Sequence, residues 1–121
     1  MGLAGLRILL VEDDSIVREI VAAALRRAGM TVEEAVKGEE TLKWLDQPPD
    51  VLFTDIRLPG SFDGWEVARL FRLRHPRLLV IYATAYVQTD VPVEGSLFFQ
   101  KPYDLKHILA GIAAMTGRTL D

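Results

Sequence analysis

Glu12-Asp13-Asp14, Asp55, Thr84 and Lys101 are the residues whose types could do chemistry together, and each stands where a short apolar run stops. The runs are Ile8 to Val11, Val51 to Thr54, Leu79 to Ala83 and Leu97 to Gln100. If they are neighbouring parallel strands, the carboxylates, the hydroxyl and the ammonium meet in one crevice. Such oxygen donors suit a hard dication such as Mg2+, which takes a few carboxylate ligands and keeps water in its remaining octahedral positions. A carboxylate beside that cation can attack phosphorus and form an aspartyl phosphate, provided cations and donors neutralise the incoming oxygens. Lys101 would supply the fixed positive charge and Thr84 the hydroxyl donor.

Each residue also has a plainer reading. Like charges about 4 Å apart repel by roughly 4 kcal/mol at an effective dielectric of about 20, so successive acids call for an offsetting partner. One account is that Asp14 or Ser15 caps a helix while the other carboxylates stay hydrated. Asp55 alone would serve as a strand-end turn residue, Lys101 as a solvated lysine and Thr84 as a hydroxyl satisfied by backbone. Their shared placement at the ends of separate strands favours one site. Proline makes a cis bond accessible at Lys101-Pro102, with the isomer left open.

The elements that must position these residues are legible as periodicity. Ile16, Val17, Ile20, Val21, Ala24 and Leu25 keep helical spacing over Ser15 to Ala28, with Arg18, Glu19, Arg26 and Arg27 turned outward and Gly29 as the stop. Thr31 to Ala35 suits an edge strand, and Glu39 to Leu45 reads as a helix stopped by Pro48-Pro49. Trp65 to Arg74 reads as another helix, with Val67, Ala68 and Phe71 inward. Leu105, Ile108, Leu109 and Ile112 stripe a last helix that begins near Asp104, a plausible cap. Tyr86 to Gly95 offers little helical period and carries Pro92, so a short or irregular fourth helix is expected there. Strands alternating with helices predict a doubly wound α/β fold: a five-stranded parallel sheet covered on both faces, with ligands beyond the carboxyl ends of the strands.

With 121 residues and 50% apolar content, the chain is expected to form one domain over 1–121. Without cysteine it can hold neither a disulfide nor a thiolate metal site. A net charge of -3 gives no electrostatic footprint for nucleic acid or an anionic membrane. The apolar runs are too short to span a bilayer and the N-terminus lacks a signal-peptide pattern, so a cytoplasmic protein is expected. His75 and His107 lie in charged, helix-like stretches and are expected at the solvated surface.

Leu9-Leu10-Val11-Glu12-Asp13-Asp14, Asp55 with Pro59 and Asp63-Gly64 beyond it, Ala83-Thr84-Ala85, and Lys101-Pro102-Tyr103 follow one another in order over nearly the whole chain. Together they resemble the receiver domain of bacterial two-component response regulators. The resemblance implies strand order 2-1-3-4-5 and Mg2+-dependent phosphoryl transfer from a histidine kinase or phosphotransfer protein to Asp55. By motif position it implies Glu12, Asp13, Asp55 and the Arg57 backbone carbonyl as metal ligands, with Asp14 outside the acidic pair. It likewise implies Thr84 as switch hydroxyl, Lys101 as phosphate-binding lysine and Phe98 as aromatic rotor. Phe98 lacks the hydroxyl of the tyrosine often found there, so packing would bias its orientation.

The loop from Pro59 to Gly64 is one residue longer than the commonest receiver pattern, and the span from Thr84 to Lys101 is several residues shorter. With Ile81-Tyr82-Ala83-Thr84-Ala85-Tyr86, this is similar to a receiver subgroup with an Ala-Thr-Gly-Tyr-like motif and a reduced fourth helix, Ala85 standing in place of the glycine. Arg57 and Tyr86, two places after Asp55 and Thr84, are expected to influence the lifetime of the phosphate. No effector segment follows Met115 to Asp121, so the expected output is phosphorylation-dependent binding to a downstream protein; a receiver excised from a larger regulator would read the same.

An aspartate-nucleophile phosphatase would carry a second Asp two residues after the first, where this chain has Arg57. Steady enzymatic turnover is therefore not expected beyond slow self-dephosphorylation. A flavodoxin-like nucleotide binder would open its first strand onto a phosphate-cradling loop, not onto acids. A receiver degenerate at its site would lack one of the residues that this chain retains.

Overall fold

A computed structural model of the chain describes residues 2–85 and 90–120. In chain order the elements are β1 (Arg7–Val11), α1 (Ser15–Arg27), β2 (Thr31–Ala35), a 3-10 helix (Gly38–Trp44), β3 (Val51–Asp55), α2 (Gly64–Arg74), β4 (Leu79–Thr84), β5 (Leu97–Gln100) and α3 (Leu105–Thr116). The five strands form one parallel sheet in the order β2-β1-β3-β4-β5, which is the expected doubly wound arrangement. No described helix is long and apolar enough to cross a membrane.

The unbroken apolar runs of β1, β3 and β4 follow from helices on both faces of the sheet. On one face Ile8, Leu10, Phe53 and Ile81 pack against Val21 and Leu25 of α1 and Ile108 and Ile112 of α3. On the other, Leu9, Val11, Leu52 and Tyr82 pack against Trp65, Val67 and Phe71 of α2. β2 is one of the two edge strands, with Thr31 and Glu34 exposed and Val32 and Ala35 buried.

Helix ends are chemically marked. Of the two candidate caps, Asp14 serves α1, its Oδ1 accepting from the N–H groups of Ile16 at 3.0 Å and Val17 at 3.1 Å. α2 opens with a capping box: Asp63 accepts from the Glu66 N–H at 2.9 Å, and Glu66 accepts from the Asp63 N–H at 3.1 Å. Asp104 caps α3, and Gly117 in the left-handed region, φ 70°, ends it.

Four expectations change. The buried stripe of α1 runs through Val17, Val21 and Leu25, so Ile16 and Ile20, about 100° round the helix, are 69% and 54% exposed. Arg18, expected outward, lies half-buried and turns back toward β1. The helix expected at Glu39 to Leu45 is 3-10, because Thr41 Oγ1 donates to the Gly38 carbonyl at 2.6 Å and the backbone closes i to i+3 bonds such as Leu45 N–H to Leu42 O. His75 is half-buried, with Nε2 2.5 Å from the Leu45 carbonyl, whereas His107 is exposed as expected.

Between β4 and β5, the span of the expected short or irregular fourth helix, residues 86–89, and with them Tyr86, lie outside the described residues; residues 90–95 are non-helical. That stretch is tied to the body. Val93 N–H donates to the Tyr82 hydroxyl at 3.0 Å, while Arg69 and Arg72 of α2 donate to the Asp90 carboxylate at 3.1 Å and the Glu94 carbonyl at 2.6 Å.

Candidate phosphoacceptor site

β1 and β3 are adjacent, and both end in acids. Val11 pairs with Thr54, so Glu12 and Asp55 leave neighbouring strands side by side at the carboxyl edge. Glu12 is 3% exposed and Asp55 9%, while Asp13 is open to solvent. Carboxylate oxygens of Glu12, Asp13 and Asp55 lie within 4.8 Å of one another. The sheet thus brings together the acidic residues singled out from the sequence.

Lys101 reaches the same point from β5. Its Nζ donates to Glu12 Oε1 at 2.6 Å and to Asp55 Oδ2 at 2.8 Å. Its backbone N–H donates to the Thr84 carbonyl at 2.8 Å, so β4 positions the lysine directly. The Lys101-Pro102 peptide is cis. Burial pulls the Lys101 ammonium down, but the hydrogen bonds to Asp55 and Glu12 more than offset it, and its pKa is raised. Burial is the main influence on Glu12 and raises its pKa despite the bonds from Lys101 and from the Asp14 N–H at 3.1 Å.

A cation fits this group. One ammonium faces three carboxylates, two of them nearly out of solvent, and all the donors are hard oxygens. The residues could hold a metal ion at the mouth while Lys101 stays at the base. Asp55 Oδ1 accepts from the Ile56 N–H at 2.7 Å, which fixes the carboxylate on its strand.

Thr84 is the last residue of β4 and 1% exposed. Because Asp55 pairs with Ala83, Thr84 stands one residue beyond the partner of Asp55 on the adjacent strand. Phe98 pairs with Tyr82, so side-chain alternation puts Phe98 and Thr84 on one face of the sheet. There Phe98 is half-buried against the Tyr82 side of the core. Arg57 is exposed at the start of the β3–α2 loop.

The roles of several residues around the site were not legible in the sequence, although Gly64 and Tyr103 stand within its motifs. Gly64 donates its N–H to the Ile56 carbonyl at 2.7 Å, and a Cβ on it would fall 2.1 Å from the Asp55 carbonyl oxygen, so α2 can start against β3 only with glycine there. The Asp63-Gly64 pair at a helix start was the available signal. Glu39 of the 3-10 helix accepts from the Ser61 N–H at 2.9 Å and anchors the long loop. Tyr103 stacks at a tilt on Phe53, 5.9 Å between ring centroids, and burial pushes its phenol up to about 12. The Glu39 and Tyr103 contacts join segments far apart in sequence, and Gly64 meets β3 across a loop; periodicity shows neither.

Comparison with known proteins gives the same picture. Residues 8–113 match the response regulator receiver domain. The chain is 38% identical over 106 residues to the DNA-binding transcriptional regulator NtrC of Escherichia coli (strain K12), covering 83% of this chain and 22% of that protein. It is 36% identical over 110 residues to the sensory transduction protein LytT of Bacillus subtilis (strain 168), covering 85% and 45%. The chain therefore spans less than half the length of either curated relative. Among solved structures, a response regulator receiver protein from Sinorhizobium medicae WSM419 superposes with a TM-score of 0.85 at 25% identity, covering 95% of this chain and 97% of that one. The receiver domain of the hybrid histidine kinase CckA superposes at 0.78 with 31% identity, covering 90% and 97%. With acids, threonine and lysine at the carboxyl edge of a 2-1-3-4-5 sheet and a family match over most of its length, this chain belongs to the response regulator receiver domains of two-component signal transduction.

Proposed function

We propose that Asp55 is the phosphoacceptor and that Glu12, Asp13, Asp55 and the Arg57 carbonyl hold Mg2+. The observation that carries this is the Lys101 ammonium bridging Glu12 and Asp55 within an acidic cluster that has oxygen to spare for a dication. Mg2+ would neutralise phosphoryl oxygens when bound. An Asp55 oxygen bonds to phosphorus as the P–N bond of a phosphohistidine breaks, and the leaving imidazole takes a proton from water. Lys101 then pairs with a phosphoryl oxygen and Thr84 donates its hydroxyl to another. Phosphorylation favours the conformation in which Thr84 engages the phosphoryl group and Phe98 turns inward, a population shift between two states.

Receiver domains work with histidine kinases and downstream effectors, and for this chain we read the donor as a histidine kinase or phosphotransfer protein in the cytoplasm. Exposed Ile16 and Ile20 support a protein donor. Ile20 lines a cleft of about 380 Å³ together with Val17, Pro102 and Tyr103, and the cleft reaches Lys101, so a partner seated there abuts the site. The output is phosphorylation-dependent binding of a downstream protein, without direct nucleic-acid contact, and residues 1–121 act as one receiver unit. Chemistry beyond accepting the group is limited to slow self-dephosphorylation.

Incubation with acetyl phosphate and Mg2+ followed by intact-mass measurement tests the assignment. The wild type gains one phosphoryl adduct and Asp55→Asn gains none; an undiminished adduct on Asp55→Asn, or one formed equally with chelator present, would overturn it.

A further inference from the structure

The Glu12 carbonyl lies outside both regular ladders. β1 ends at Val11, and the first α1 backbone bond runs from the Arg18 N–H to the Asp14 carbonyl. The Arg18 side chain supplies the missing donor: its guanidinium bonds to the Glu12 carbonyl at 2.8 Å. The same group meets Glu34 Oε1 of β2 at 3.3 Å, and its side chain is only 20% exposed. The Glu12 N–H in turn donates to the Ala35 carbonyl of β2 at 3.0 Å. Both main-chain polar groups of Glu12 are thereby fixed to neighbouring elements.

We infer that Arg18 is a positioning residue for the acidic pair, holding the β1–α1 turn so that Glu12 and Asp13 present their carboxylates toward Asp55. Unheld, the turn is free to rotate its carbonyl to water and to carry Asp13 with it. The charge of Arg18 acts in the opposite sense, since a guanidinium near the mouth repels a dication; Glu34 offsets much of that repulsion. Positioning and electrostatics therefore predict opposite signs on removal of Arg18. The inference rests on Glu12, Asp13 and Asp55 being the Mg2+ ligands.

Arg26 is the natural control. It also pairs with Glu34, at 3.0 Å, from the same helix, but its guanidinium donates to the Val32 carbonyl, away from the site. Calorimetric titration of the unphosphorylated protein with Mg2+, alongside thermal melts without metal, compares Arg18→Met, Arg18→Lys, Arg26→Met and Asp13→Asn with wild type. Groups that orient metal ligands typically affect affinity by about tenfold or more, so Arg18→Met is expected to bind Mg2+ roughly tenfold more weakly. Arg18→Lys, which keeps the charge and one donor, recovers part of the loss, and Arg26→Met leaves the affinity unchanged while losing similar thermal stability. If Arg18→Met does not fold, Arg18→Gln, which drops the charge but keeps an N–H donor on a shorter arm, gives a smaller weakening of the same sign, whereas loss of repulsion alone would tighten binding. Unchanged or tighter Mg2+ binding in Arg18→Met, or equal weakening in Arg26→Met, overturns the positioning role. Asp13→Asn tells the two failures apart: if it too leaves binding intact, the carboxylate site itself is wrong, whereas if it weakens binding and Arg18→Met does not, only the role of Arg18 falls.

Discussion

Lys101 is the residue on which the geometry of the site turns. Its ammonium lies between two nearly buried carboxylates, so removing it leaves Glu12 and Asp55 facing each other without a counter-charge. Lys101→Met is expected to lower stability by about 2 kcal/mol at neutral pH, the scale of a lost charged hydrogen bond together with an orphaned acceptor. Mg2+ should restore much of it by supplying another cation, and urea unfolding with and without Mg2+ reads both effects. Equal midpoints for variant and wild type in the absence of metal would show that the bridge contributes nothing. From sequence, the chemistry of Lys101, Asp55 and Glu12 was legible because strand ends converge at one edge of a parallel sheet. Arg18 was misread as an outward charge, since helical spacing fixes the direction of a side chain's base and not where a long guanidinium ends.

The 3-10 helix and the β3–α2 loop form a unit through Glu39. Hydrogen bonding from the Ser61 N–H is the chief reason its carboxyl titrates below the 4.5 of an ordinary glutamate. A depressed carboxyl stabilises the fold above its unfolded pKa, and that contribution is lost as pH falls through the lower folded value. Glu39→Gln is therefore expected to melt below wild type at pH 7, with the gap closing below pH 4.5. A gap that stays constant across that range would mean the loop is held by shape and not by charge. At this scale the sequence revealed α1, α2, α3 and every strand, because caps and periodic stripes are local. It missed the 3-10 character of Gly38–Trp44, which depends on the Thr41 hydroxyl and on Gly38 passing under Phe62.

Across the whole molecule, one sheet is shared by two cores, so damage on either face should be felt on both. Ile108 is fully buried between α3 and the sheet, and Trp65 is buried on the opposite face. Ile108→Ala is expected to cost about 3 kcal/mol and to shift unfolding followed by tryptophan fluorescence, from Trp44 and Trp65 on the opposite face, and by far-UV circular dichroism to the same lower midpoint. Two separated midpoints would show that the faces unfold independently.

The sequence by itself determined the alternation of strands and helices, the edge at which the polar residues gather and the identity of the acid, hydroxyl and ammonium groups, because these follow from local periodicity and from residue type. Only the tertiary structure decided which carboxylate oxygens Lys101 bridges, that Gly64 must lie against the Asp55 backbone, and that Arg18 holds the Glu12 carbonyl. The Lys101 bridges reach partners 89 and 46 residues away, while Gly64 and Arg18 meet Asp55 and Glu12 only because a turn folds each helix back on its strand. Their distances are set by how helices pack on the sheet, a property no single stretch of sequence carries.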